Sequence, residues 1–287
     1  MTLSTSPTVA GWELALRLRN RRVEMGVEVK DIVEECGFSR NYWSAVENER
    51  RILSEESLGR VLELFEFDAG EREELLALRT VAKERGWWHR YSAILDDDLQ
   101  RLFGLEAGAH SIHGYESLLI PGLLQTAEYA RALMTPDVNI RRVEVDQHVE
   151  ARMRRQERLT GDDPLQLTEI VSEAALRQEI GGPDVLRRQL EHLAKMIREN
   201  PDSIDVRVMP FAVPSCGLFG AATVHMIGFD NPRLRTVIWQ ESVTSWGIRD
   251  DRSTIRNIAG AYDDALRRAL NKEDSLKLVK QRIKELA

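Results

Sequence analysis

Apolar residues recur at helical spacing through the first eighty positions, and past the middle of the chain they give way to short β-branched runs. Over 12–25, Leu14, Ala15 and Leu18 interleave with Arg17, Arg19, Arg21 and Arg22, and Gly26 follows where a helix end favours a left-handed residue. Over 29–36, Ile32, Val33 and Cys36 fall on one side, and Gly37 interrupts the pattern. The spacing predicts a third short helix over 39–48. A fourth is capped by Ser54 and runs through Leu58, Val61, Leu62 and Phe65, and a fifth over 69–79 carries Leu75, Leu76 and Leu78.

The period breaks around Gly86, where Trp87 and Trp88 stand side by side. A helix over 96–109, an extended stretch over 111–120, a turn at Pro121-Gly122 and a helix over 125–134 come next, then a long charged helix over 138–160. Residues 166–171 alternate like a strand and 184–198 read as a helix. Three further strands, 204–209, 222–228 and 236–240, are bounded by Pro, Gly or Asn, and helices over 254–270 and 275–286 follow. The pattern predicts a mainly α, α+β protein. A five-helix domain spans 11–80, a junction 81–95, and a larger α+β domain with a small sheet 96–287. The Ser- and Thr-rich residues 1–10 read as a leader without regular structure, and lack the basic-then-apolar run of a secretory signal.

Composition narrows the function classes. At 43% hydrophobic residues the chain can build real cores, yet no run approaches the roughly 18 apolar residues that cross a bilayer. The two cysteines, Cys36 and Cys216, are far apart, which fits a reducing cytoplasm better than a disulfide framework. A net charge of −7 argues against coating nucleic acid by bulk charge. A site-specific reader needs only a local basic face, so that class stays open.

The segment 29–48 has the parts of a helix-turn-helix. Gly37 sits at the turn, where a left-handed conformation costs a residue with a side chain about 1 kcal/mol or more. Ser39 can cap the next helix, and Phe38 and Trp43 are spaced for a hydrophobic staple across its first turn. At about 100° per residue, Trp43 and Val46 face one way. Asn41, Ser44, Ala45 and Asn48 then face the other, with Arg40 and Tyr42 flanking them and Glu47 at the edge. Arg pairs with guanine and Asn with adenine edges in the major groove. Lys30, Arg50 and Arg51 are placed for phosphates, which set register without reading sequence. The expected DNA-binding set is Lys30, Ser39, Arg40, Asn41, Tyr42, Ser44, Asn48, Arg50 and Arg51. A plain helical bundle would account for the same spacing.

Residues 18–62 resemble the Xre-type, lambda-repressor-like helix-turn-helix. Asp31-Ile32-Val33-Glu34-Glu35-Cys36-Gly37-Phe38-Ser39 matches its second helix and turn, and Tyr42-Trp43-Ser44-Ala45-Val46-Glu47-Asn48 its recognition helix. The chain departs from that pattern at Glu49, where Gly is usual, at Glu28, where Ser or Thr is usual, and at Ala45, where Arg is frequent. By the resemblance, Arg19 pairs with Glu47. Further on come Arg85-Gly86-Trp87-Trp88, Tyr115-Glu116, Ile120-Pro121-Gly122-Leu123-Leu124-Gln125-Thr126, Glu173-Ala174-Ala175-Leu176-Arg177, Gln189-Leu190-Glu191-His192-Leu193 and Val208-Met209-Pro210-Phe211. In that order they resemble the WhiJ-like, antitoxin-like actinobacterial regulators. The resemblance implies a transcription regulator whose DNA binding is tuned by a small partner protein encoded nearby.

The expected partners are double-stranded DNA, a second copy of the chain and that small protein. One recognition helix reads only a few base pairs, so two half-sites about a helical turn apart favour a homodimer. An adaptor of the antitoxin kind, with weak DNA binding, is the alternative. Trp87, Trp88, Tyr115 and Gln125 are candidates for gripping a ligand or partner, although core packing explains aromatic residues equally. His110 and His113 are spaced as half a metal site on a helix but lack a third ligand nearby. Nothing in the sequence orients His225 toward Cys216 for nucleophilic chemistry. No enzyme activity, cofactor or metal is expected.

Overall fold

The structure, a computed structural model, describes residues 6–243 and 245–287. The chain divides between His89 and Arg90 into two compact units.

The first unit contains five helices among the described residues: α1 (Pro7–Glu24), α2 (Val29–Cys36), α3 (Arg40–Glu47), α4 (Glu55–Leu64) and α5 (Ala69–Ala82). Their apolar stripes meet in one core, with Leu18, Ile32, Trp43, Leu58, Phe65 and Leu75 at its centre. The expectation of an irregular leader fails over 7–10. Pro7 opens α1, and Val9 and Ala10 are buried. Proline at the first helical position has its φ preset for a helix, and the two apolar residues extend the stripe of Leu14 by a turn. The rest of that leader, 1–5, lies outside the described residues.

The second unit sets helices around one mixed sheet. In chain order it runs α6 (Asp97–Ala107), β1 (Ser111–Glu116), α7 (Ala127–Met134), α8 (Val145–Gln156), β2 (Gln166–Ser172), α9 (Glu173–Arg177), α10 (Pro183–Glu199), β3 (Ile204–Met209), β4 (Thr223–Gly228), β5 (Val237–Glu241), β6 (Trp246–Arg249), α11 (Arg252–Arg268) and α12 (Lys272–Glu285). The strand order is β3-β2-β1-β4-β5-β6. β1, β2 and β3 are parallel, whereas β4, β5 and β6 form an antiparallel meander joined to β1. α11 covers one face, where Tyr115, Ile170, Met209, Met226 and Ile238 pack with Tyr262 and Ala265. The α+β class expected from the pattern is the class observed.

Three local readings need correction. The helix expected over 138–160 shrinks to α8, with short 3-10 turns at Arg142–Glu144 and Glu157–Leu159. Val138 and Val143 are exposed, and only from Val145 onward does an apolar face, with Val149, meet Ala130 and Met134 of α7. The strand expected over 111–120 ends at Glu116. β6 was not legible: four residues with a glycine among them carry too little alternation. No helix among the described residues is long and apolar enough to cross a membrane.

Candidate nucleic-acid interface

Gly37, Phe38 and Ser39 join α2 to α3. Gly37 takes φ 70°, and its N–H donates to the Val33 carbonyl at 3.1 Å, closing α2. A Cβ there would meet nothing within 4 Å, so glycine is required on conformational grounds alone. The Ser39 hydroxyl accepts the N–H of Tyr42 at 3.1 Å and opens α3. The rings of Phe38 and Trp43 stack 6.4 Å apart and 5° from parallel, completing the staple. Trp43 also meets Phe65 edge-on at 6.0 Å.

Burial of Trp43 and Val46 turns the opposite face of α3 outward. Arg40, Asn41, Ser44 and Asn48 are exposed there, with Ala45 half-buried between them. Asn48 folds back on its own helix, its amide donating to the Ser44 carbonyl at 2.7 Å and to the Ser44 hydroxyl at 3.3 Å. Arg40 and Asn41 therefore form the leading edge. Tyr42 is half-buried, its ring 5.0 Å from Phe38 and 5.0 Å beneath the Arg51 guanidinium. Arg60 of α4 lies over the Phe38 ring, 6.0 Å from its centroid. Arg50 is exposed just beyond α3. Lys30 pairs with Glu28 at 2.9 Å, and that bond raises the pKa of its ammonium.

The resemblance pairs Arg19 with Glu47; the structure places Arg22 there instead. Arg22 Nε lies 2.6 Å from Glu47 Oε1, and its Nη1 donates to the Val27 carbonyl at 3.3 Å. Leu18 is fully buried, so the residue four positions later shares its side while the adjacent Arg19 turns to solvent. Arg60 was missed because its approach to the turn is set by the packing of α4 on α2. No local spacing signals it.

The four residues considered for ligand or partner contact do not form one site. Trp87 and Trp88 meet edge to face at 5.8 Å in the first unit, with the Trp88 indole lying where a Cβ on Gly86 would stand. Tyr115 lies in the core beneath α11, and burial pushes its phenol up to about 12. Gln125 belongs to the α8 side, donating to the Ile120 carbonyl at 2.7 Å and accepting from Arg152 at 2.7 Å. His113 stands in β1, not on a helix, and burial lowers its pKa; His110 precedes the strand, 3.3 Å from Asp230. Cys216 packs into the cluster under α11, while His225 faces Glu116 on the other side of the sheet.

A helix-turn-helix domain family matches residues 13–75, and a domain of unknown function (DUF5753) matches residues 99–281. No curated protein and no solved structure matches the chain. The first match covers the bundle that carries α2 and α3, and the second covers most of the sheet-containing unit. With well over half its length in that second match, the chain belongs to the DUF5753 domain family and carries a helix-turn-helix ahead of it.

Proposed function

We propose that the chain is a sequence-specific regulator of transcription that reads double-stranded DNA with α3. The observation that carries this reading is the outward edge of α3, where Arg40 and Asn41 stand exposed behind a glycine turn while Trp43 and Val46 anchor the helix. Arg40 and Asn41 read base edges, and Ser44 supports them. Arg50, Arg51 and Lys30 meet phosphates; the stack on Tyr42 holds the Arg51 guanidinium in place. Ser39 caps the start of α3 and Asn48 its end, so both act by fixing the helix.

The regulator works as a homodimer on paired half-sites, and its second domain receives a signal, a small partner protein of the kind met by the antitoxin-like relatives its motifs resemble. Trp87, Trp88, Tyr115 and Gln125 then serve folding or partner docking, each at its own place.

The test is selection of bound sequences from random duplexes, followed by titration of variants. Arg40→Ala or Asn41→Ala should cost about 1–3 kcal/mol and relax preference at one base position. Arg51→Ala should weaken all sequences alike and reduce the salt slope by about one. If both classes of variant bind like the native chain, the reading is lost. The adaptor alternative draws on the Lys30–Glu28 pair and the acidic balance of the chain. It requires that no sequence preference emerge while a small partner still co-purifies.

A further inference from the structure

The sheet face turned away from α11 carries a row of ionisable groups. Glu169 of β2, Gly114 of β1 and His225 of β4 stand directly opposite one another, with Trp239 of β5 next in line. Residues opposite each other in neighbouring strands project to the same face. Two positions along β1, Glu116 projects to that face too, its Oε1 3.5 Å from His225 Nε2. Gly114 lets the row close: a Cβ there would lie 2.0 Å from Glu169 Oε2. The Glu169 carboxyl thus lies across the β1 backbone in the space a side chain would fill.

Glu169 is fully buried and His225 is 5% exposed. Neither carboxyl oxygen of Glu169 has a hydrogen-bond partner, and the His225 ring has only the long contact of its Nε2 with Glu116. The ionisable groups that act on them are Glu106 on α6, Glu116 on β1 and, for Glu169, Tyr262 on α11 across the sheet; Glu106 and Glu116 in turn face Arg152 and Arg155 on α8, with Glu241 of β5 beside those arginines. Most of these are already engaged. Arg155 holds Glu106 through two bonds of 2.6 and 2.7 Å, Arg152 donates to Gln125, and Glu116 accepts from Thr223 at 2.8 Å. Glu116 shares the His225 charge, which leaves Glu169 with a cation it holds only in part and no hydrogen-bond donor. An ionised carboxylate in that position is costly, whereas a carboxylic acid is not.

We propose that Glu169, Gly114 and His225 make a buried proton-binding site, a pH-sensitive device that holds the second unit together while protonated and weakens it when the protons leave. Burial pushes the Glu169 carboxyl up to about 8, with Glu116 and Glu106 adding to the effect and His225 opposing it. Burial pulls the His225 imidazole down, but Glu116, Glu169 and Glu106 carry it up to about 9. Both groups bind protons more tightly folded than unfolded, where their values are 4.5 and 6.5. Glu169 therefore contributes fully below about 4.5 and loses its contribution as pH rises through about 8; His225 contributes fully below about 6.5 and loses it through about 9.

The test follows the His225 ring by NMR and the thermal midpoint of the full chain from pH 6 to pH 10, in the native protein and in Glu169→Gln. In the native chain the ring stays doubly protonated to about pH 9 and the midpoint falls between pH 7 and pH 9. In Glu169→Gln the fall is smaller and the ring titrates at lower pH, a change that loss of packing alone would not produce. A native His225 that titrates near 6.5, or a Glu169→Gln variant with the native pH profile, overturns the proposal. Should the variant not fold, carbon-13 titration of Glu169 in the native chain decides, and a midpoint near 4.5 overturns it.

Discussion

Glu47 ends α3 and ties it to α1 through Arg22, with both side chains less than a fifth exposed. A charge-assisted bond in that setting contributes about 1–2 kcal/mol. A double-mutant cycle between Arg22→Ala and Glu47→Ala, read by urea unfolding, should return coupling of that size, while Arg19→Ala with Glu47→Ala should return none. The difference between Arg19 and Arg22 marks a limit of sequence reading. Both stand on the same helix and carry the same charge, and only the burial of Leu18 decides which one reaches α3. The exposed edge of α3 was legible because Trp43 and Val46, its apolar counterweights, are visible in the sequence itself.

At the scale of elements, the first unit closes its helices by one recurrent device. After α1 the N–H of Val27 reaches the Arg22 carbonyl, after α3 that of Arg50 reaches Ala45, and after α4 that of Phe67 reaches Leu62. Each closure needs a left-handed residue just before it. Gly26 supplies it after α1, whereas Glu49 and Glu66 supply it after α3 and α4 at φ 63° and 50°. Glutamate there is strained by about 1 kcal/mol, part of which glycine would return as unfolded-chain entropy. Glu66→Gly should therefore raise stability by roughly 0.5 kcal/mol, and Gly37→Ala at the turn between α2 and α3 should lower it by about 1 kcal/mol, both by chemical denaturation. Arg21 reinforces the α4 end, donating to the carbonyls of Phe65 and Glu66 at 2.9 Å. Caps such as Ser39 and Ser54 were readable because a cap is a local event. The shortening of α8 was not, since it depends on what α7 offers to Val145 and Val149.

Over the whole molecule, charge is spread rather than segregated. Residues 1–89 carry 13 basic and 17 acidic residues, so the unit with the helix-turn-helix is itself acidic. On the proposed reading, approach to DNA rests on local basic residues such as Arg40, Arg50 and Arg51, and non-specific binding should be weak at physiological salt, as filter binding across a salt series would register. In the second unit the decisive charges are hidden. Glu106 and Arg155, both under a tenth exposed, bind α6 to α8. Removing one partner strands the other, so Glu106→Ala should cost about 3–5 kcal/mol in equilibrium unfolding. A joint Glu106→Leu and Arg155→Met replacement should cost much less. None of this was visible in the sequence. Glu169, Gly114 and His225 are far apart along the chain and become neighbours only once β2, β1 and β4 pair in register.

The place of β1 in the sheet bears on how the chain is made. During synthesis β1, β2 and β3 emerge first and can pair among themselves, yet the other edge of β1 finds its partner only when residues 223–228 of β4 have left the ribosome. Until then a nascent chain presents the unpaired backbone of an open strand edge, a template for joining other chains. A chain truncated after β3 should accordingly aggregate, and one extended through β6 should not.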